Sequence, residues 1–258
     1  MARKDHWYNK SKQEGYRTRA SYKLKQLDRK EGLFGPGNTV VDLGAAPGGW
    51  LQVAAEEVGS EGTVIGVDFQ RIEGFDEEYD DWIETIRGDM TEEDTKEQVR
   101  EAAGNEVDVV LSDLAPNMTG EYQLDHARSV HLARQAFETA LDVLDSGGDF
   151  AVKVFEGKDL DRLREDIEAE FQYVRTTTPE ASRDESSEVY LVAKHRLTAP
   201  VRPGDRVEVT IEDIGSEGDG IAKVEGYTLF VSGTEAGDTV EVRVDDVKPN
   251  FGFAHPLD

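Results

Sequence analysis

The chain has 258 residues, with 29 Lys+Arg against 55 Asp+Glu, a formal net charge of −26 and no cysteine; the last excludes disulfides, thiolate metal sites and a cysteine nucleophile. A hydrophobic content of 37% with ten Phe, eight Tyr and three Trp is enough for a packed core and argues against global disorder. No apolar run approaches the ~18 residues of a membrane span and the charged N-terminus lacks the apolar stretch of a secretory leader, so a soluble, cytoplasmic protein with no membrane partner is expected. A surface this acidic repels itself in dilute salt. In molar salt, where the Debye length falls to about 3 Å, that repulsion largely disappears, and the composition reads as halophilic.

The acidity skips the start of the chain. Residues 1–30 hold ten Lys+Arg and three acids, a balance of +7, whereas residues 31–199 hold 14 against 39 and residues 200–258 hold 5 against 13. His6, Trp7, Tyr8, Tyr16 and Tyr22 are interleaved with the basic residues. Charge plus stackable rings is a nucleic-acid footprint, so 1–30 is read as an RNA-contacting segment. From there, apolar runs of strand length at 39–43, 63–67, 107–111 and 149–155 alternate with helical stretches at 51–58, 91–103, 122–144 and 160–171. This alternation predicts βαβ units and a mostly parallel sheet over 31–197. Runs at 171–176 and 188–193, joined only by a turn-rich loop, predict an antiparallel pair at the sheet edge. Past Pro200 the pattern changes to short alternating strands at 206–211, 221–224, 227–231 and 239–247, which predict a small OB-like β-barrel over 198–258.

Three motifs carry chemistry. The stretch Val40-Val41-Asp42-Leu43-Gly44-Ala45-Ala46-Pro47-Gly48-Gly49-Trp50 delivers a strand into a Gly-rich turn and a helix N-terminus, where glycines let a ligand approach the backbone. A dinucleotide fingerprint would need glycine at position 46, where this chain has Ala. The acid ahead of the turn, Asp42, disfavours a pyrophosphate and suits a cationic ligand such as the sulfonium and ammonium of S-adenosylmethionine. Asp68, at the end of the next strand, is placed to bind ribose hydroxyls, and Asp89, in Arg87-Gly88-Asp89-Met90 and read as ending a third strand ahead of the 107–111 run, to reach an adenine edge. The second motif, Leu111-Ser112-Asp113-Leu114-Ala115-Pro116-Asn117, sets Asp113 where methyl donor and acceptor meet. It is not the Asn/Asp-Pro-Pro-aromatic motif of amine methylation, and carbon-5 pyrimidine methylation needs the missing thiolate; an RNA oxygen remains. The third is Lys153, mid-strand in Phe150-Ala151-Val152-Lys153-Val154-Phe155. An edge lysine snorkelling to water would explain it; so would a lysine at the active crevice, whose neutral form desolvation favours.

These motifs, with Tyr22-Lys23-Leu24 and Ser182-Arg183 through Glu188-Val189-Tyr190, resemble the FtsJ/RlmE family of S-adenosylmethionine-dependent ribosomal RNA ribose 2′-O-methyltransferases from about residue 17 to 194. The resemblance implies a Rossmann-like α/β methyltransferase fold. It further implies a Lys-Asp-Lys-Glu catalytic set at Lys23, Asp113, Lys153 and Glu188, and a cofactor site at Gly48, Trp50, Asp68, Asp89 and Asp113. The C-terminal block resembles a TRAM domain, an RNA-binding barrel. The implied activity is methylation of a uridine 2′-hydroxyl in 23S ribosomal RNA of the large subunit, by a monomer and without a metal. A tRNA anticodon-loop methyltransferase and a non-catalytic RNA-binding assembly factor are the alternatives. The five His show no ligand spacing.

Overall fold

A computed structural model describes the chain apart from Met1, Glu77, Glu78, Asp80, Asn105, Arg183, Asp184, Glu185 and Asp258, with side chains from His6 onward. The basic N-terminal segment, read from the sequence only for its charge and rings, forms two helices, α1 (Ala2–Gln13) and α2 (Ser21–Glu31). Strands β1 (Thr39–Leu43), β2 (Thr63–Asp68), β3 (Ile83–Arg87), β4 (Val109–Ser112), β5 (Asp149–Phe155), β6 (Phe171–Thr177) and β7 (Glu188–Arg196) form one sheet, in the order β3-β2-β1-β4-β5-β7-β6. β1 to β5 pair in parallel. The described residues between 178 and 187 hold no crossover helix, and β7 runs back antiparallel. It lies between β5 and β6, which leaves β6 at the edge.

Helices α3 (Gly49–Val58), α4 (Glu93–Ala103), α5 (Tyr122–Val143) and α6 (Leu160–Glu168) complete the layers. Every residue of β4 and β5 is buried, as expected of strands covered on both faces. One core joins β1, β4 and β5 to α4, α5 and α6; the other joins the opposite face to α2 and α3. Tyr22, Leu24 and Leu27 of α2 belong to that second core, so the basic segment is packed onto the sheet and not trailing from it.

The remaining strands, β8 (Arg206–Thr210), β9 (Asp213–Ile214), β10 (Gly220–Val224), β11 (Tyr227–Val231), β12 (Thr239–Val247) and β13 (Phe251–Pro256), form a curled second sheet ordered β8-β12-β13-β11-β10-β9 with its own core. Neither the two-residue β9 nor β13 is among the strands expected from the sequence, and β13 is the longer of the two. Its alternation is inverted: Gly252 and Ala254 face the core, and Phe251 and Phe253 face solvent. A Cβ on Gly252 would meet the Asp246 carbonyl at 2.8 Å, so only glycine fits the inner face there. Ser146 Oγ, just ahead of β5, donates to the Pro249 carbonyl at 3.0 Å. The barrel therefore docks at the end of the main sheet opposite the C-terminal ends of β1, β2 and β4.

Candidate active site

Asp113 follows β4, and Lys153 lies on the neighbouring β5. On β7, Tyr190 is in register with Lys153 and Glu188 with Phe155. Residues two apart on a strand share a face, so Glu188 and Tyr190 look onto Lys153, while α2 lays Lys23 over them from above. Lys153 Nζ lies 2.9 Å from Asp113 Oδ1 and donates to the Asp113 carbonyl at 2.5 Å. Tyr190 Oη donates to the same Oδ1 at 2.6 Å. Lys23 Nζ sits 2.6 Å from Glu188 Oε1 and 3.9 Å from Asp113 Oδ1. Lys23, Lys153 and Glu188 are each under a tenth exposed and Tyr190 is fully buried. The resemblance names four of these five side chains. Tyr190 is the addition, and the signal for it was its spacing of two from Glu188.

The electrostatics divide two carboxylates in neighbouring strands. Burial works against the charge of Asp113, but Lys153 and Lys23, with hydrogen bonds from Lys153 and Tyr190, outweigh it and hold its pKa below the usual value. Asp42 has no such help. Burial first, then the fields of Asp113 and Asp68, push its pKa well above the usual carboxylate range. Its Oδ1 has no hydrogen-bond partner among the described residues. A buried polar atom without a partner is costly, and here it lies directly ahead of the Gly-rich turn.

That turn is shaped by the chain itself. Gly48 has φ +105, and a Cβ there would meet Phe75 at 2.7 Å and the Arg17 guanidinium at 2.9 Å. Arg17, counted in the basic segment, is spent on this loop. It donates to the carbonyls of Pro47 (2.9 Å), Glu73 (2.8 Å) and Gly74, and stacks on Phe75. The indole of Trp50 is buried in the core and donates to the Ala20 carbonyl at 2.9 Å. That leaves its main-chain N–H, in the first turn of α3 where helical donors lack intrahelical partners. Asp68 Oδ2 accepts from Ala46 N at 3.0 Å and Oδ1 from Gln70 N at 2.8 Å. Asp89 lies just beyond β3 and accepts from Thr91 N and Oγ1 through Oδ1. Asp68 and Asp89 line one cavity of about 120 Å³ with Gly44, Phe69, Met90 and Leu114. The structure thus gathers Lys23, Asp113, Lys153 and Glu188 into one cluster and Asp68 and Asp89 into an adjoining hollow. Of the motif around Ser182, the residues Arg183, Asp184 and Glu185 lie outside the described residues.

A mostly parallel sheet with a Gly-rich turn after β1 and carboxylates at successive strand ends defines a Rossmann-like methyltransferase. A family model described as FtsJ-like methyltransferase matches residues 16–196, and a TRAM domain model matches residues 200–257. The chain belongs to the FtsJ-like methyltransferase family and carries a C-terminal TRAM domain. It is 64% identical over its whole length to the full-length ribosomal RNA large subunit methyltransferase E of Haloarcula marismortui, and 47% identical to its namesake from Methanothrix thermoacetophila, over all of this chain and 99% of that protein. Among solved structures, a ribosomal RNA methyltransferase from Plasmodium falciparum superposes with a TM-score of 0.62 at 27% identity, covering 70% of this chain and 98% of that one. The haloarchaeal relatives agree with the salt-adapted composition.

Proposed function

We propose that this protein methylates a uridine ribose 2′-hydroxyl in the RNA of the large ribosomal subunit, acting in the cytoplasm as a monomer with S-adenosylmethionine as donor. The observation that carries the chemistry is Asp113 Oδ1, which gathers Lys153, Tyr190 and, at longer range, Lys23 around one buried carboxylate. The relatives named as ribosomal RNA methyltransferases support the substrate class.

The residues fit the donor. Asp42 presents an unpartnered buried oxygen and a carboxyl that any adjacent cation would help to ionise. The free N–H groups of the first turn of α3 suit a carboxylate, with Gly48 and Trp50 supplying the loop and a donor. Asp68 and Asp89 each keep lone pairs in the adjoining hollow for hydroxyl and amino donors. When bound, S-adenosylmethionine supplies an electrophilic methyl group.

The chain's own residues prepare the acceptor. Lys153 Nζ spends two positions on Asp113, its carboxylate and its carbonyl. The remaining position faces the 2′-hydroxyl: as an N–H it directs the oxygen lone pair toward the donor, and as the lone pair of the neutral amine it takes up the hydroxyl proton while the new bond forms and becomes an ammonium. Holding the hydroxyl in line supplies several kcal/mol by itself. Asp113, kept ionised by its cations, fixes Lys153. Lys23, paired to Glu188, balances the carboxylates and closes the pocket over the acceptor ribose. The barrel adds RNA contact through Phe230, Phe251 and Phe253, whose rings lie 5.6–5.9 Å apart on its outer face.

The test is methyl transfer from labelled S-adenosylmethionine in molar KCl to large subunits lacking ribose methylation, with unmodified tRNA alongside. Label in subunit RNA at an alkali-resistant 2′-O position supports the reading. Label in tRNA alone, or undiminished transfer by Lys153→Ala, overturns the substrate or the mechanism respectively.

A further inference from the structure

Two concave surfaces flank Trp7 on the N-terminal helices. The larger, of about 560 Å³, is lined by Trp7, Gln26, Arg29, Lys30, Thr177 and Pro179 among others, a size typical of small-ligand pockets. It adjoins the catalytic cluster by construction. Across the sheet, Lys153 is in register with Tyr190, and Tyr190 with Thr177. Two interstrand spacings put the Thr177 backbone about 10 Å from that of Lys153, on the same face. Along α2, Gln26 and Lys30 stand three and seven residues beyond Lys23, on the same side of the helix. Lys30 Nζ donates to Thr177 Oγ1 at 2.5 Å, and Gln26 accepts from Ala181 N at 2.9 Å, which holds the far wall to α2.

The chemistry of the lining selects its occupant. Trp7 is half-buried, backed by Tyr22 with ring centroids 5.0 Å apart, and Lys10 lies over both rings. This backing holds the indole in place as a rigid stacking surface. Arg29 is exposed and has no ion-pair partner among the described residues, although the chain carries 55 acids. Elsewhere in the same segment the cations are already engaged: Arg17 with loop carbonyls, Lys23 with Glu188, Lys25 with Glu56. A fixed indole beside an unpaired guanidinium and an ammonium matches a base and its phosphate.

We propose that this hollow receives the RNA nucleotide next to the acceptor, its base against Trp7 and its phosphate against Arg29 and Lys30. The proposal rests on the RNA methyl-transfer reading above and adds a subsite to it. By holding the neighbour, the subsite draws the acceptor ribose out toward Lys153 and fixes its orientation. It acts on substrate capture rather than on the reacting atoms.

The test is steady-state methyl transfer to unmethylated large subunits, with donor affinity measured separately. Trp7→Ala should raise the subunit KM about tenfold or more, the order of a lost base stack, with kcat and donor affinity within about twofold. Trp7→Phe should recover most of the loss. Arg29→Gln, an exposed change that cannot disturb the core, should raise KM and flatten the log–log salt dependence of binding by about one phosphate contact. A photoreactive uridine placed beside the mapped acceptor should crosslink to α1, α2 or residues 177–180. Unchanged KM in Trp7→Ala and Arg29→Gln, or crosslinks confined to other segments, overturns the subsite while leaving the activity standing. Donor binding without transfer to subunits by the unaltered protein overturns the activity itself.

Discussion

The proposed catalytic crevice and the barrel invert the usual partition of residues in opposite senses. The crevice buries charge: Lys23, Lys153 and Glu188 are each less than a tenth exposed. The barrel exposes rings: Phe251 and Phe253 are 38% and 41% exposed. Ordinary folding puts such charges outside and such rings inside, and the departures fall where RNA chemistry and RNA contact are inferred. The two inversions share a consequence for a salt-adapted chain. Ions screen exposed charges and hardly touch buried ones, and a stacking ring has no charge to screen. In the proposed subsite, the rim cations beside Trp7, Arg29 above all, are the contacts that salt would weaken most directly.

The largest expected effect lies in the crevice. Lys153→Ala should lower kcat by about 10²–10⁴, the range of a lost proton acceptor, with donor affinity nearly intact by calorimetry. Tyr190→Phe removes the shortest hydrogen bond to Asp113 Oδ1 without changing the ring. A bond to a charged group is worth about 1.5–3 kcal/mol, so kcat should fall by about tenfold or more. The pH dependence follows from the depressed pKa of Asp113. The stability this ionised network supplies is complete above the ordinary carboxylate pKa of about 3.9. It is lost as pH falls through the lower folded value, so denaturation followed from pH 7 down to about pH 5 should show no loss from this group.

Asp42 shifts the other way, and its sign is opposite. With a folded pKa well above the unfolded one, its contribution to stability is full below the ordinary carboxylate range and is lost as pH rises through the folded value. Asp42→Asn should therefore raise the thermal stability of the donor-free protein at neutral pH and weaken donor binding about tenfold. Greater stability with unweakened binding would break the assignment of Asp42 to the donor's cationic groups. The smallest effect belongs to the barrel. Deleting residues 200–258 should raise the subunit KM by a few fold, more in molar than in low salt, because tethered stacking contact compensates for phosphate contacts that salt weakens. An equal change at both salts would remove the contrast between the two regions.

The parts of the site that follow strands were legible because the signals are local. A strand running into a Gly-rich turn and a helix, as at Asp42 to Trp50, is read within a dozen residues, and the carboxylates at strand ends come with their strands. β13 and the two N-terminal helices were not legible, for identifiable reasons. β13 hides because its apolar residues point outward and its inner positions are Gly252 and Ala254, the reverse of the pattern that marks a half-buried strand. The helices of the basic segment hide because α1 carries few apolar residues and α2 owes its place to a buried face shared with α3 and the sheet; packing, not propensity, stabilises such helices.

By itself, then, the sequence determined the class of sheet, the order of its chemistry-bearing strand ends, the division into a methyltransferase domain and a barrel, and the salt-adapted surface. Periodicity and composition are properties of short segments and survive without a partner. Tertiary structure alone decided which groups meet. The β5–β7 register sets Tyr190 opposite Lys153, α2 brings Lys23 onto Glu188 from the far end of the chain, and Arg17 leaves the basic segment to clamp the loop at Gly48. Periodicity reports which face a residue occupies; what lies across from that face is set by strand register and helix packing between distant segments.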